Sequence, residues 1–280
     1  MNPFIPSSCP AQVWPIIVRK YRYQLEEMSR EAHERSMGGL TEGTKSDIQK
    51  KEVHMKKRLL KIFVLASLLL VSAFGWAWAQ ELKTIKLNEP NKKRGLPVME
   101  ALSIRASVRD WSDKELSLQD LSDLLWAANG INRPESGKRT ASSAMNAQDI
   151  DIFVFMKNGA FLYDAGQNAL NPVAGGDHLA EITMRPGGGP GGPPSPAPIQ
   201  LILVSDLSRF SRGTQESKLE WAAIDTGIVS QNISLFCAAT GLATRPRAGM
   251  NKDFIRTLLK LKETQYPILN HPVGYPKGKS

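Results

Sequence analysis

A chain of 280 residues, 41% hydrophobic and 22% charged, has the composition of a globular protein and the length for one or two domains. Its formal charge of +9 is uneven, with about half of the excess upstream of Gln80, and no basic run is interleaved with aromatic residues, which argues against nucleic-acid binding. Two cysteines, Cys9 and Cys237, and four scattered histidines argue against a disulfide framework or a zinc centre.

Residues 1–54 are polar, carry Pro3, Pro6, Pro10 and Pro15, and read as an extension outside any domain. From Met55 the chain runs MKKRLLKIFVLASLLLVSAFGWAWAQE. Lys56, Lys57 and Arg58 make a positive n-region. An apolar stretch broken only by Lys61 follows, and Ala77-Trp78-Ala79 is an A-x-A cleavage pattern before Gln80. Residues 55–79 are therefore expected to be a signal peptide, with Met55 the better start and the mature chain exported to the periplasm or beyond. If Met1 is the start, the same stretch, at roughly 18 residues, is just long enough for a membrane anchor that leaves the domain outside the cytoplasm.

Residues 80–96, with NEPNKKRG, are expected to form a surface arm, and residues 97–280 the domain. A helix is predicted over Pro97–Arg105, then a turn at Asp110–Lys114. Ser117, with Asp120 three residues on, opens a second helix. There Leu118, Leu121, Leu124, Leu125 and Ala128 recur at helical spacing, and Gly130 is the natural stop. NRPESGKRTASSAMNAQ reads as a long polar loop. DIDIFVFM is a strand with little polar alternation, KNG turns it, and AFLYDAG returns.

NALNPVAGGDHLAEITM is predicted as a short helix and loop. RPGGGPGGPPSPAP, residues 185–198, is a low-complexity insertion; it opens no helix and lacks GK[ST], so it is not a phosphate loop. IQLILVSD is a buried strand. SKLEWAAIDTGIVSQNISLFCAATGLA is a long helix, apolar on nearly every side and ended by Gly241, suited to a core or an interface. NKDFIRTLLKL is a helix capped by Asn251, and YPILNHPVGYPKGKS closes with a strand and a basic tail. The order of elements gives an α+β domain of about 200 residues.

Arg105, Ser107 and Arg109 stand just upstream of the capped helix. Two guanidiniums and a hydroxyl suit an oxyanion such as a phosphate or carboxylate; the bland alternative is a solvated surface paired with Asp110 or Asp113. Cys237 has no basic neighbour and reads as a buried inert thiol. Trp126 and Trp221 read as core, His178 as a loop residue, and Arg133, Lys138 and Arg139 as solvated. Asp225 is open between a cap, an ion pair with an arginine and no visible role. Neither GxSxG nor a Ser-His-Asp order supports a hydrolase.

RASVRDW, LLWAANGINRPESGKRTASSAMNAQDIDIFVF, FLYD, DTGIVSQNISLFCAATGLAT and PILNHPVGYPKGK fall in the order seen in nitroreductase-like flavoproteins. The resemblance covers nearly all of residues 97–279. It implies an α/β sandwich with a mixed or antiparallel central sheet flanked by helices, an intertwined homodimer, and FMN held at the dimer interface. On this resemblance Arg105 meets the FMN phosphate and Ser107 adds a phosphate or ribityl contact. Arg109 sits near flavin N1 and the C2 carbonyl. Ser143, Asn146 and Gln148 match the family's Ser…Asn-x-Gln stretch, with Ser142 where proline is usual. Gly241, Leu242, Ala243 and Thr244 match the backbone that runs along the flavin, with Ala243 replacing a common glycine. Lys277 or Lys279 completes the phosphate site.

The implied activity is an oxidoreductase that passes hydride through flavin N5 to or from a small organic substrate. That means nitroaromatic or quinone reduction, or substrate dehydrogenation, with NAD(P)H a candidate donor. The cofactor carries such chemistry, so no catalytic acid or base is assigned. Nicotinamide cofactors are scarce outside the cytoplasm. The alternative is accordingly a non-catalytic flavin-binding or partner-binding module on the same fold.

Overall fold

The computed structural model describes residues 82–183 and 197–278, together with Glu27, Lys51, His54, Met55 and Leu59. The extension and the signal segment otherwise lie outside the described residues, as do most of the Gly/Pro insertion and Lys279. The chain divides into two units, Met1–Ala79 and Gln80–Ser280; the second carries the elements that follow. Among the described residues, no helix is long and apolar enough to cross a membrane.

In chain order the elements are β1 (Ile85–Lys86), α1 (Val98–Ile104), α2 (Leu118–Asn129), β2 (Ile131–Arg133), β3 (Lys138–Arg139), β4 (Ile150–Met156) and β5 (Gly159–Asp164). Then come β6 (Ala169–Gly175), β7 (Ile199–Asp206), α3 (Gln215–Thr240), β8 (Ala243–Thr244), α4 (Lys252–Leu258) and β9 (Gln265–Gly274). Seven strands form one antiparallel sheet in the order β1-β6-β5-β4-β7-β9-β8, and β2 and β3 make a small separate hairpin. This is the α+β architecture expected.

The central strands lack polar alternation because both faces of the sheet are covered. Ile150, Ile152 and Val154 of β4 and Ile199, Leu201 and Leu203 of β7 pack under α2 and α3, against Leu121, Leu124, Leu125, Val229, Ile233 and Cys237. The intervening Phe153, Phe155, Ile202 and Val204 face the other way, against Ile255 and Leu259 of the α4 region and Leu179 and Ile182. Side chains alternate between faces along a strand, so a strand buried on both sides is apolar throughout.

The helix ends follow local chemistry. Ser117 Oγ accepts the Asp120 N–H at 3.0 Å and opens α2. Asn251 Oδ1 accepts the Phe254 N–H at 3.2 Å and opens α4. Gly241, at φ 74°, ends α3 in the left-handed conformation and returns its N–H to Cys237 O. Gly130 ends α2 differently from expectation. It is extended (φ −77°, ψ 166°), and its glycine is steric: a Cβ there would lie 2.5 Å from Trp126 Cδ1.

Two expectations need correcting. NALNPVAG is not helix but the strand β6, between β1 and β5. Pro172 is tolerated because the β5–β6 register shifts beside it, between Ala160 and Phe161. The expected surface arm is docked. Its residues 85–86 form the edge strand β1, and Leu87, 4% exposed, joins the core. Arg94 spans Asp120 (2.7 Å) and Asp123 (2.9 Å) of α2. Burial works against the Asp120 charge, but hydrogen bonds from Ser117, Tyr275 and Arg94 and the Arg94 charge hold its carboxyl below the usual range.

Candidate functional site

The segment after α1 crosses the end of the sheet beside β8 and the exit of β9. The Val108 N–H donates to Thr244 O at 3.0 Å, and Trp111 Nε1 donates to Ala243 O at 3.1 Å. The Ser112 N–H donates to Tyr275 O at 3.0 Å and the Lys277 N–H to Asp110 O at 3.3 Å. Trp111 is thereby a buried staple, 6% exposed. These bonds gather the segment 105–111, Leu242–Thr244 and Lys277 at one end of the domain. Arg105, Ser107, Arg109 and Lys277 are exposed, and their side chains have no hydrogen-bond or ion-pair partner among the described residues. The expectation of salt bridges to Asp110 or Asp113 is not met for these arginines.

One residue of this end was not singled out from the sequence. Arg245 follows β8 in the run Thr244-Arg245-Pro246-Arg247, and its Nε is buried with no hydrogen-bond partner, as is that of Arg247. Burial, then the neighbouring Arg109 charge, lowers the Arg245 pKa; burial, then Arg245, lowers that of Arg247. A TRPR run just after a helix-ending glycine was the available signal. Adjacent guanidiniums with idle buried donors make a place for an oxyanion.

The β8 backbone at this end is braced from below. His271, 0% exposed, has Nε2 2.8 Å from Ser230 Oγ and Nδ1 3.3 Å from Thr244 Oγ1. The Thr244 hydroxyl donates to Pro272 O, so it accepts from His271, which places the imidazole proton on Nδ1. Burial pushes the His271 pKa down to about 3, so the ring is a neutral structural connector.

Ser143, Asn146 and Gln148 lie elsewhere. They precede β4, whose first residue pairs with Ser205 at the end of β7, and Ser205 in turn pairs with Tyr266 at the start of β9. Lys277 lies beyond the other end of β9. The ten residues from Tyr266 to Tyr275 span about 30 Å at the usual rise of a strand. One chain therefore places the two groups of expected residues at opposite ends of the sheet.

The loop holding this second group is tightly shaped. Met145, Asn146 and Gln148 have φ of 54°, 54° and 49°, in the left-handed region. The Gln148 N–H donates to Ser143 Oγ at 2.9 Å, and both carboxylate oxygens of Asp225 accept the Ala144 N–H, at 3.1 and 2.9 Å. The Gln148 side chain is engaged within the protein, accepting from Arg139 Nε at 2.8 Å and donating to Gly137 O at 3.1 Å. Arg139 is thus not the solvated residue expected; its Nη1 also donates to Asn129 O at 3.0 Å.

The remaining candidates behave as structural groups. Cys237 is buried and burial pushes its thiol pKa up, so it is inert. His178 is a loop residue with Nε2 2.9 Å from Gly175 O. Trp221 packs on Phe210 with ring centroids 5.6 Å apart. A cavity of about 710 Å³ lies between α3, α4 and β9, lined by Leu219, Ala223, Arg256, Tyr266 and Ile268 among others, and none of the expected site residues lines it. Among the described residues, no cluster of His, Cys, Asp and Glu could hold a metal ion.

The sequence profile of the nitroreductase family matches residues 102–275. A candidate nitroreductase of Methanocaldococcus jannaschii is 28% identical over 179 residues, covering 61% of this chain and 86% of that protein. The crystal structure of a candidate nitroreductase from Ralstonia eutropha superimposes with a TM-score of 0.64 at 29% identity, over 72% of this chain and 93% of that one. A chain of the Escherichia coli microcin synthetase complex shares the fold at 18% identity, with a TM-score of 0.53 over 74% of this chain and 82% of that one. The match spans more than half of the sequence and both groups of site residues except Lys277 and Lys279, and the chain belongs to the nitroreductase family.

Proposed function

We propose that the protein is an exported FMN-dependent oxidoreductase that acts as a homodimer. The observation that carries the flavin reading is the unpaired cationic set of Arg105, Arg109 and Arg245 beside the Leu242–Thr244 backbone. Two exposed guanidiniums beside a buried Arg245 Nε that has no acceptor fit a group rich in anionic oxygens, and FMN has a phosphate at one end and a polar pyrimidine edge at the other. Bound FMN supplies two-electron hydride transfer at N5. Arg105 and Ser107, with Lys277 or Lys279, would hold the phosphate. Arg109 offers a fixed cation to the pyrimidine edge, where negative charge accumulates on reduction. The Leu242–Thr244 backbone, braced by Trp111 and His271, gives that edge a rigid floor.

The separation of the two residue groups favours the homodimer. A second copy related by a two-fold axis sets the arginine end of one protomer against the Ser143–Gln148 end of the other, and does so twice. Val98, Met99, Leu102 and Ile104 on and beside α1 are 47–73% exposed and supply apolar surface for such a contact. The substrate is a small organic molecule, a nitroaromatic or quinone to be reduced or a compound to be dehydrogenated, with NAD(P)H as candidate donor. The A-x-A site at Ala77–Ala79 supports export.

The test is the visible spectrum of the purified protein after FMN addition and gel filtration. A retained flavin spectrum, lost in the Arg105→Ala/Arg109→Ala variant, is the expected result. A folded protein that releases all added FMN sinks the reading. Oxidation of NAD(P)H by the flavin-loaded protein separates an enzyme from a flavin-binding module. Light scattering reads the dimer, and N-terminal sequencing of the exported protein reads cleavage before Gln80.

A further inference from the structure

The chain leaving β8 stays against β9 and carries two arginines with it. Ala243 and Thr244 pair with Gly274 and Val273, and Arg247 pairs with Asn270 in the same antiparallel register. The Arg247 N–H donates to Asn270 O at 2.9 Å, and the Asn270 N–H donates to Arg247 O at 2.8 Å. That register sets Arg245 opposite Pro272, which has no N–H to offer, so the ladder lapses there. Residues two apart in an extended run share a side, so Arg245 and Arg247 project together. Through the pairing of β9 with β7, theirs is the side of Gln200 and Ile202.

Among the described residues, neither guanidinium meets a carboxylate. Arg247 Nη2 donates to Gln200 Oε1 at 3.2 Å, and the same oxygen accepts from Asn270 Nδ2 at 2.8 Å. Gln200 is 1% exposed and Asn270 0% exposed, so a neutral buried pair fixes Arg247 without offsetting its charge. The Arg245 side chain makes no hydrogen bond within the described residues, and the Nε of both arginines is buried without an acceptor. A desolvated donor on an unpaired cation is costly, and an anion that brings its own oxygens removes that cost. Nε and the neighbouring Nη form the side of the guanidinium fork that takes both oxygens of a carboxylate. On Arg245 that side is open.

The pair stands beyond the residues assigned to FMN. Lys277 follows the far end of β9, and the segment from Arg105 to Arg109 joins β8 through the bond from the Val108 N–H to Thr244 O. Counted from Ala243, the run carries Arg245 about 7 Å and Arg247 about 13 Å away from the Lys277 end, at the usual strand rise. The Leu242–Thr244 backbone lies between. We propose that Arg245, with Arg247 behind it, binds a carboxylate of the substrate, so that the molecule oxidised or reduced beside the flavin is a small organic acid. That the acid is a substrate rests on the flavin reading above; the carboxylate site does not. Arg245 makes the two-oxygen contact, and Arg247 adds a second cation fixed by Gln200. A neutral analogue of the same shape leaves the open fork unanswered and is discriminated against for that reason.

Calorimetric titration with benzoate and with benzamide, on the protein with and without saturating FMN, tests the site. Benzoate should bind about tenfold or more tightly than benzamide, as for a charge-assisted contact that the amide cannot make. Arg245→Gln should bring the two affinities within about twofold of each other. Arg245→Lys keeps the charge, loses the fork, and should retain only about threefold of the preference; it serves if the first variant does not fold. In the flavin-free protein, Arg105→Ala/Arg109→Ala should keep the preference. A preference lost in that variant assigns benzoate to the phosphate site and overturns the proposal. So do equal affinities in the wild type, or a preference that survives in folded Arg245→Gln and Arg245→Lys. FMN retained without any benzoate preference overturns this proposal and leaves the flavin reading standing. FMN released while benzoate is held through Arg245 overturns the flavin reading and leaves the carboxylate site.

Discussion

The two ends of the sheet solve different problems. At the β8 end, Arg105, Arg109 and Arg245 stand close in the fold without acceptors, on a backbone that Trp111 and His271 hold rigid. At the β4 end, nearly every polar group of the 143–148 loop is answered within the chain: Ser143 by Gln148, Gln148 by Arg139 and Gly137, Ala144 by Asp225. The first end stores unsatisfied charge and the second stores backbone strain. A ligand that completes both gains electrostatic attraction from one and a preset shape from the other. Changes at the first end should alter binding with little effect on stability, and changes at the second should alter both.

The sharpest way to break that contrast is the Arg105→Ala/Arg109→Ala variant. Two charge-assisted contacts at about 1.5–3 kcal/mol each amount to a loss of roughly 100-fold or more in FMN affinity. Denaturation should move by less than about 0.5 kcal/mol, as for exposed side chains generally. A large stability loss there would erase the distinction.

A pH comparison sharpens it. Arg94→Met leaves Asp120 and the buried Asp123 without their cation and should cost about 2–3 kcal/mol in urea unfolding at pH 7, with FMN binding kept. The Asp120 carboxyl is held below its unfolded value. Its contribution is therefore present above about pH 4 and lost as pH falls further. The variant should lose part of the acid limb of the stability profile.

Smaller effects lie in the loop itself. Arg139→Met removes the half-buried donor to Gln148 Oε1 and Asn129 O, with an expected loss of about 1–2 kcal/mol in thermal unfolding and a weaker flavin. Met145→Gly should stabilise by about 0.5–1 kcal/mol, because glycine adopts φ 54° without steric cost. If it destabilises, the loop is not strained.

Much of the frame was legible from local chemistry. Ser117, Asn251 and Gly241 act on backbone groups within a few residues, and the apolar runs of β4 and β7 report burial on both faces. Strand β6 was hidden because Pro172 and the flanking glycines speak locally against a strand, whereas its pairing with β1 and β5 is non-local. The docking of the arm hid for the same reason: Arg94 finds Asp120 and Asp123 through the fold. The arginine end was visible as a pattern at Arg105, Ser107 and Arg109, yet Arg245 joins it only through the β8 pairing. The bond from the Ala144 N–H to Asp225 links residues 81 positions apart, and nothing in either neighbourhood announces it.

The sheet ends on both sides in strands of two residues, β1 and β8. A border that short offers almost no free ladder of amide and carbonyl groups to an incoming strand. Copies of this domain are thereby steered away from edge-to-edge polymerisation, a hazard for a sheet this rich in apolar strands. Any association must be written in side chains. It can then be tuned or abolished by surface substitutions that leave the backbone pairing of the sheet intact.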